Sequence, residues 1–143
     1  MSITVVNLQR KVPINAPEYR RFTDNLTNKI EETVGKCFAV AFVSDGRMKQ
    51  LNSFFRGKDL TTDVLSFPHK SDEFDSDASN LGDIVISAEQ AALQAEENGL
   101  SLENEVKQLI LHGLLHLCGY DHETDSGEMN ARELELRDKL AIN

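Results

Sequence analysis

Apolar residues follow two different spacings along the chain, and the change between them predicts the secondary structure. The β-branched stretch ITVVNLQ at 3–9 predicts an opening strand. Short apolar runs of strand length predict three more strands, at 37–44, 62–67 and 81–87. Elsewhere apolar residues recur at helical spacing, first at Tyr19, Phe22, Leu26 and Ile30.

The predicted order of elements is β-α-β-α-β-β-α-α-α, with strands and helices mixed early and helices together late. This order favours an α+β fold, in which helices pack on a mixed β-sheet of about four strands. The chain contains no internal repeat, Pro/Gly-rich linker or low-complexity tract. A single domain over residues 1–143 is therefore the simplest organisation.

Residues with known capping preferences mark the helix ends. Helix starts are predicted at Pro17, at Ser44 or Asp45, at Ser87 with Gln90, at Ser101, and near Asp125 with Glu128. The apolar residues carried by the second helix are Met48, Leu51, Phe54 and Phe55. Those carried by the last helix are Met129, Leu134, Leu136 and Leu140.

The composition is that of a folded protein, because hydrophobic residues make up 40% of the 143 positions. Cys37 and Cys118 lie in apolar runs, and we expect both to be small buried side chains in a reducing compartment. The N-terminus lacks the basic start and apolar stretch of a signal peptide. The apolar run LILHGLLHLCGY is too short to span a bilayer. We therefore expect a soluble, cytoplasmic protein without a membrane partner.

Charge is unevenly distributed in a chain whose formal net charge is −9. Residues 1–70 hold 11 Lys and Arg against 7 Asp and Glu, whereas residues 71–143 hold 4 against 17. The acidic total argues against tight, non-specific binding of nucleic acid. The basic first half leaves room for one phosphate-binding face, although an acidic half that only keeps its helices soluble is the simpler interpretation.

Three of the four histidines lie close together in LILHGLLHLCGYDH at 109–122. His112 and His116 are four residues apart, so a helix places both on one face, one turn apart. Gly119 can take the left-handed conformation that ends a helix and reverses the chain, which would bring His122 back towards the pair. Three imidazoles on one ion leave a position for water, as in catalytic rather than structural zinc sites.

Two other interpretations of these histidines remain open. A lone histidine on an apolar helix is usually a core residue, and a pair can arise by coincidence. The spacing HxxxHxxxxxH is also that of three-histidine metalloproteases, in which a Glu follows the first histidine and acts as general base. Gly113 stands at that position here, which makes a protease less favoured.

HGLLHLCGYDH at 112–122 resembles the signature of the YbeY family of rRNA maturation factors, in which three histidines bind zinc. FRGKDLTTDVLSFP at 55–68 is similar to that family's arginine-containing segment, and NLGDIVIS at 80–87 is similar to its G-D-I strand. The resemblance spans most of the chain. It implies a mixed sheet with helices and a metal helix, like that of metalloproteases, lying against the sheet.

The resemblance further implies an endoribonuclease specific for single strands, acting on RNA in 16S rRNA 3′ end maturation and ribosome quality control, with the ribosome or its small subunit as partner. It implies one zinc ion on His112, His116 and His122, although nickel or cobalt would also bind imidazoles. Arg56 matches the family's arginine associated with RNA cleavage. A guanidinium can hold a phosphate through two hydrogen bonds.

Two alternatives to a nuclease remain. The first is a metallopeptidase or amidase that uses the same ion. The second is a non-catalytic, ribosome-associated factor with a structural metal, for which Cys118 is the nearest fourth ligand in the chain. Asp63 and Asp83 could support the site, or could simply bind backbone N–H groups at strand ends.

Overall fold

A computed structural model describes residues 4–69, 79–121 and 123–142. Within these residues four strands and five helices follow the order expected from the sequence. The strands are β1 (Thr4–Asn7), β2 (Cys37–Val43), β3 (Val64–Pro68) and β4 (Asn80–Ser87). The helices are α1 (Ala16–Lys29), α2 (Asp45–Arg56), α3 (Ala88–Asn98), α4 (Leu102–Leu117) and α5 (Glu128–Lys139).

The strands form one mixed sheet in the order β1-β2-β4-β3. β2 is parallel to both β1 and β4, whereas β3 runs antiparallel to β4. The nearly continuous apolar sequence of β2 agrees with its central place in the sheet. The predicted α+β fold with a mixed four-stranded sheet is therefore confirmed.

Helix starts follow the capping residues that the sequence offers. The hydroxyls of Ser44, Ser87 and Ser101 each accept a hydrogen bond from a backbone N–H in the first turn of the following helix. α5 begins three residues after Asp125, but the carboxylate of Asp125 still accepts the backbone N–H of Met129. Gly99 ends α3 in the left-handed conformation that the Asn-Gly pair predicts.

The hydrophobic core lies between the sheet and the helices, and α4 is central to it. α4 contacts β3 and β4 on one side and α3 and α5 on others. Its fully buried side chains include Ile110, Leu111, Leu114 and Leu115. None of the helices in the described ranges combines the length and the apolar character needed to cross a bilayer.

Several apolar positions differ from the sequence prediction. α2 carries Met48, Phe54 and Phe55 as predicted, but Met48 is fully buried whereas Phe54 and Phe55 are exposed. Leu134 is exposed on α5, since five residues from Met129 put it on another face of the helix. Cys37 and Cys118 are half-buried rather than buried, with both thiols free.

Candidate active site

α4 brings His112 and His116 side by side. Their ring centroids are 4.8 Å apart and their planes meet at 77°. This arrangement follows from four-residue spacing on one helix, as the sequence predicts. Both rings are half-buried and line the same cavity, so they can present nitrogens to a shared ligand.

The cavity beside these histidines has a volume of about 580 Å³. Its walls come from three parts of the chain: the end of α2, the segment that contains β3, and the end of α4 with the turn after it. The lining residues are Arg56, Lys58, Thr62, Asp63, Val64, Ser66, Pro68, His112, His116, Gly119, Tyr120, Asp121 and Glu123. The structure therefore brings Arg56 to the same cavity as the histidine pair, although the two lie far apart in sequence.

Glu133 on α5 contacts the first histidine. Nδ1 of His112 lies 3.3 Å from both carboxylate oxygens of Glu133. The side chain of Glu133 is 18% exposed, so the contact is shielded from water. A carboxylate that accepts a hydrogen bond from the N–H of one ring nitrogen leaves the other nitrogen, Nε2, as the lone-pair donor for a metal.

The electrostatics of His112 reflect the same contact. The hydrogen bond with Glu133 raises the pKa of His112 above its usual value, and the negative charges of Glu133 and Asp63 add to this effect. Burial of the ring acts in the opposite direction. The ring therefore lies in a negative field, which favours a cation of any kind at this place.

Gly113 lets α4 approach the sheet closely. A Cβ at this position would lie 2.9 Å from Cγ2 of Ile84 on β4, which is closer than side chains pack. The carbonyl of Gly113 also accepts a hydrogen bond of 3.1 Å from the hydroxyl of Ser66 on β3. A side chain here would point at the sheet. The missing metalloprotease glutamate is thus explained by packing, because no carboxylate fits at this position.

The chain reverses after α4. Gly119 has a positive φ of 100°, as predicted for the residue that ends this helix. The carboxylate of Asp121 accepts the backbone N–H of Glu123, which stabilises the turn. His122, the third predicted metal ligand, lies outside the described residues.

Cys118 does not line the cavity. It packs against the hydrophobic core, and burial raises the pKa of its thiol to about 11. A core-facing, protonated thiol is a poor metal ligand. The structure gives no support to Cys118 as the fourth ligand of a closed site.

Arg56 is the last residue of α2, where the helix ends at Gly57 in the left-handed conformation. The expected place at a helix-to-loop junction is therefore confirmed. Its side chain is exposed and, among the described residues, makes no hydrogen bond or ion pair. The guanidinium is available to an anion that enters the cavity.

The two aspartates considered beside the site differ in position. Asp63 lines the cavity, and its carboxylate also accepts the backbone N–H of Val64 at 2.8 Å. Asp83 is exposed on β4 and does not line the cavity. Asp63 thus combines the local backbone role with a place at the site.

A network of charged and aromatic side chains anchors the turn that follows α4. Arg132 on α5 donates two hydrogen bonds to the carboxylate of Glu32, at 2.7 and 3.1 Å. The hydroxyl of Tyr120 donates to the same carboxylate at 2.9 Å. These bonds join α5, the short 3-10 turn at Glu31–Thr33 and the wall of the cavity.

Sequence reasoning missed Glu133, although a signal for it exists. Met129, Glu133 and Leu136 are spaced by four and three residues, so all three lie on one face of α5. Met129 and Leu136 are fully buried. A carboxylate within a buried apolar stripe requires a partner, and the nearby histidine helix provides one.

Comparison with known proteins places the chain in a family. The sequence profile described as "Endoribonuclease YbeY" matches residues 4–141. A protein named Endoribonuclease YbeY from Nautilia profundicola is 44% identical over 128 residues, covering 90% of this chain and 89% of that protein. One of the same name from Geobacter metallireducens is 35% identical over 140 residues, covering 97% and 92%.

The fold is also similar to a solved structure. The solution structure of TM1509 from Thermotoga maritima superposes with a TM-score of 0.66 at 26% identity, covering 96% of this chain and 88% of that one. The family profile spans nearly all the chain, and the two relatives are 44% and 35% identical to it. The chain therefore belongs to the Endoribonuclease YbeY family.

Proposed function

We propose that this protein hydrolyses phosphodiester bonds of single-stranded RNA with the help of one zinc ion held by His112, His116 and His122. The observation that carries the proposal is the shared cavity, which joins the His112–His116 pair to Arg56. The names of the relatives supply the substrate class. The geometry supports a site that accommodates both a cation and a phosphate.

The described donors fit a zinc ion. Two adjacent imidazoles suit a borderline cation, and the contact of Glu133 with Nδ1 of His112 leaves Nε2 of that ring as the nitrogen that would bind the ion. We propose that His122 adds the third nitrogen. A bound zinc ion supplies Lewis-acid chemistry, which polarises a phosphoryl oxygen and lowers the pKa of a water molecule.

The charges around the cavity also favour a cation cofactor. Three carboxylates, those of Asp63, Asp121 and Glu123, line the cavity against the two permanent cations Arg56 and Lys58. An RNA phosphate is repelled by such a lining unless a divalent cation offsets it. Metal dependence of RNA binding, as well as of cleavage, follows from this balance.

Arg56 would bind the scissile phosphate. Its guanidinium has five N–H donors in a fixed plane, which suits two hydrogen bonds to phosphate oxygens and offsets charge that develops during cleavage. A phosphate bound by Arg56 would share the cavity with the imidazoles of His112 and His116. Among the carboxylates that line the cavity, Asp63 adds to the negative field at His112, after the larger effect of Glu133.

We further propose that the RNA is ribosomal, that cleavage serves 16S rRNA 3′ end maturation and ribosome quality control, and that the protein acts in the cytoplasm on the small ribosomal subunit. The support is the resemblance of HGLLHLCGYDH and FRGKDLTTDVLSFP to the family motifs. Accumulation of 3′-extended 16S precursor in cells that carry only His116→Ala, measured by primer-directed RNA sequencing, is the expected result.

The direct test measures RNA cleavage by the purified, zinc-reconstituted protein. Labelled single-stranded RNA, the same sequence as DNA, and an RNA duplex are offered to the wild type, His116→Ala and Arg56→Ala. We expect cleavage of single-stranded RNA by the wild type alone, with a loss of at least about 100-fold for Arg56→Ala because a phosphate clamp contributes about 3 kcal/mol.

For each variant, elemental analysis measures the zinc content and circular dichroism shows whether the protein is folded. Folded His116→Ala that lacks zinc and activity supports the proposal. Equal cleavage by the wild type and His116→Ala would point to a contaminating nuclease. Peptide hydrolysis that chelation abolishes, with RNA left intact, would replace the proposal with the metallopeptidase alternative.

A further inference from the structure

Two adjacent phenylalanines at the end of α2 are exposed to solvent. Phe54 is 82% exposed and Phe55 is 58% exposed. Single exposed apolar residues are common, but two neighbouring aromatic rings next to a catalytic cavity are typical of a binding surface. The helix could end with polar residues at no cost to the core, because Met48 and Leu51 already bury its apolar side.

The rings are held in a fixed arrangement. Phe54 and Phe55 meet edge to face, with centroids 4.8 Å apart. Phe55 meets Phe67 of β3 in the same manner at 5.1 Å. Such aromatic contacts restrict side-chain rotation, so the exposed rings form a preorganised surface. A rigid surface loses little entropy when it binds a ligand.

The aromatic surface is continuous with the candidate active site. Phe67 is followed by Pro68 and Phe55 is followed by Arg56, and both Pro68 and Arg56 line the cavity. Phe54 also borders a shallow depression with Lys49 and Asp59, whose charged groups lie 3.9 Å apart. The aromatic surface is therefore adjacent to residues that line the cavity.

The charge around the rings has the sign that a polyanion requires. Residues 46–58 contain Arg47, Lys49, Arg56 and Lys58 and no acidic residue, in a chain with a net charge of −9. The exposed aromatic rings thus lie in the basic part of an acidic protein. Surfaces that bind single-stranded nucleic acid combine two parts, which are cations for the phosphates and exposed aromatic rings on which bases stack.

We propose that Phe54 and Phe55 form a base-stacking subsite that binds unpaired bases of RNA next to the scissile phosphate. This inference rests on the proposed function and specifies how the same site selects its substrate. Bases within a duplex already stack on each other, so only single-stranded RNA can place a base on these rings. The subsite thereby gives a physical reason for single-strand specificity.

A protein partner fits the surface less well. A stable protein interface buries about 800 Å² on each side, with an apolar centre and few charges. Here the two rings belong to a segment that carries four cations, and the end of that segment lines a cavity with a histidine pair. The alternative predicts binding that does not depend on RNA bases, which the test below separates.

The first test uses the absence of tryptophan from the chain. Phe54→Trp gives the protein a single indole fluorophore at the proposed subsite. The probe is a short, cleavage-resistant 2′-O-methyl RNA added to the zinc-reconstituted protein. We expect its bases to quench the fluorescence on stacking, whereas an abasic strand of equal length and charge leaves it unchanged. Leu93→Trp, at an exposed position of α3, is the control and should not respond.

The second test measures affinity for the same two oligonucleotides by fluorescence anisotropy. Phe54→Ala should weaken binding of the base-bearing strand by roughly 5- to 150-fold, the range for loss of one stacked base. Binding of the abasic strand should not change. Leu93→Ala should leave both affinities as in the wild type. Because Phe54 is mostly exposed, its removal should not affect folding.

The outcomes separate this inference from the proposed function. If the wild type cleaves RNA but Phe54→Ala binds and cleaves it equally well, the subsite is wrong and the nuclease stands. Equal weakening for both strands would also overturn stacking. If Phe54→Ala binds RNA like the wild type but no longer binds small ribosomal subunits whose exposed RNA has been removed by nuclease, the rings bind protein and the stacking subsite is wrong. A wild type that neither binds nor cleaves RNA would overturn both proposals.

Discussion

The contact between Glu133 and His112 gives the two nitrogens of one imidazole ring different roles. Nδ1 faces the carboxylate at 3.3 Å, so the ring is fixed in orientation and in tautomer. His116 lies beside it, with 4.8 Å between the two ring centroids. Metal affinity at this site should therefore depend on a residue that does not touch the metal.

Glu133→Gln should lower zinc affinity by roughly 10- to 100-fold, because an amide neither fixes the tautomer nor strengthens the imidazole as a donor. Competition with a chromophoric chelator measures the dissociation constant directly. Glu133→Asp should recover part of the affinity, since it keeps the charge. Glu97→Gln, an exposed glutamate on α3, is the matched control. Unchanged zinc affinity in Glu133→Gln would remove Glu133 from the site.

Gly113→Ala should lower the free energy of unfolding by about 1 kcal/mol, because overpacking against Ile84 costs about 1–3 kcal/mol and alanine's helix propensity returns about 1. Urea denaturation measures the change. Gly46→Ala, in α2 with open space around the added methyl group, should instead stabilise the protein. In an Ile84→Ala background the cost of Gly113→Ala should vanish. Equal stabilisation by both glycine substitutions would show that the helix shifts freely.

At the scale of elements, the bonds of Glu32 with Arg132 and Tyr120 join α5 to the turn after α4. The guanidinium of Arg132 is the main cause that lowers the pKa of Glu32 from 4.5 to about 2. A carboxyl group whose pKa is lower in the folded than in the unfolded protein stabilises the fold at any pH above its unfolded-state pKa. That contribution is lost as the pH falls from about 4.5 towards 2.

Glu32→Gln should lower the melting temperature at neutral pH by about 3 °C, since a partly exposed charged hydrogen bond contributes about 1 kcal/mol. The difference between variant and wild type should shrink between pH 4.5 and pH 2, where the wild-type carboxyl becomes protonated. Thermal unfolding by circular dichroism across this range measures it. Glu31→Gln, exposed and adjacent, should show no such dependence. A difference independent of pH would contradict the assigned role.

Most elements could be predicted from the sequence because their signals are local. Ser44, Ser87 and Ser101 cap helices through bonds within three residues, and the apolar sequence of β2 reflects its central place in the sheet. The side chain of Gln90 was less predictable. It donates to Asp45 on α2 rather than completing a capping box with Ser87, since the tertiary fold brings Asp45 within 3.2 Å.

At the scale of the molecule, the acidic excess belongs to residues 71–143, whereas α2 and the residues just after it are basic. The chain has a net charge of −9, yet residues 46–58 carry only positive charges. A polyanion is therefore attracted to one place and repelled by most of the remaining surface. We expect few phosphate contacts and a correspondingly shallow dependence of RNA affinity on salt.

Arg56→Ala should reduce the slope of log K against log salt concentration by about 0.7, the contribution of one phosphate contact with a single strand. Titration of a cleavage-resistant, single-stranded RNA at several salt concentrations measures the slope. Arg21→Ala, an exposed arginine on α1, should lower affinity little and leave the slope unchanged. An unaltered slope in Arg56→Ala would mean that Arg56 does not contact phosphate.

The site could be predicted only where helix geometry determines it. His112 and His116 lie together because any helix places residues four apart on one face. Arg56 reaches the same cavity through the packing of α2 beside β3, which the resemblance but not the periodicity indicated. The spacing of Met129, Glu133 and Leu136 puts Glu133 on the buried face of α5, but its contact with His112 depends on how α5 packs against α4. The exposure of Phe54 and Phe55 likewise depends on how α2 packs.

The close approach of α4 to β4 at Gly113 also limits what this scaffold can become. A single substitution, Gly113→Glu, would create the zinc-peptidase motif HExxH in this chain. The new side chain would collide with Ile84, so this substitution alone does not provide a glutamate at the site. Divergence towards peptide cleavage would first require a smaller residue on the neighbouring strand, so packing has separated two chemistries that share the same histidine spacing.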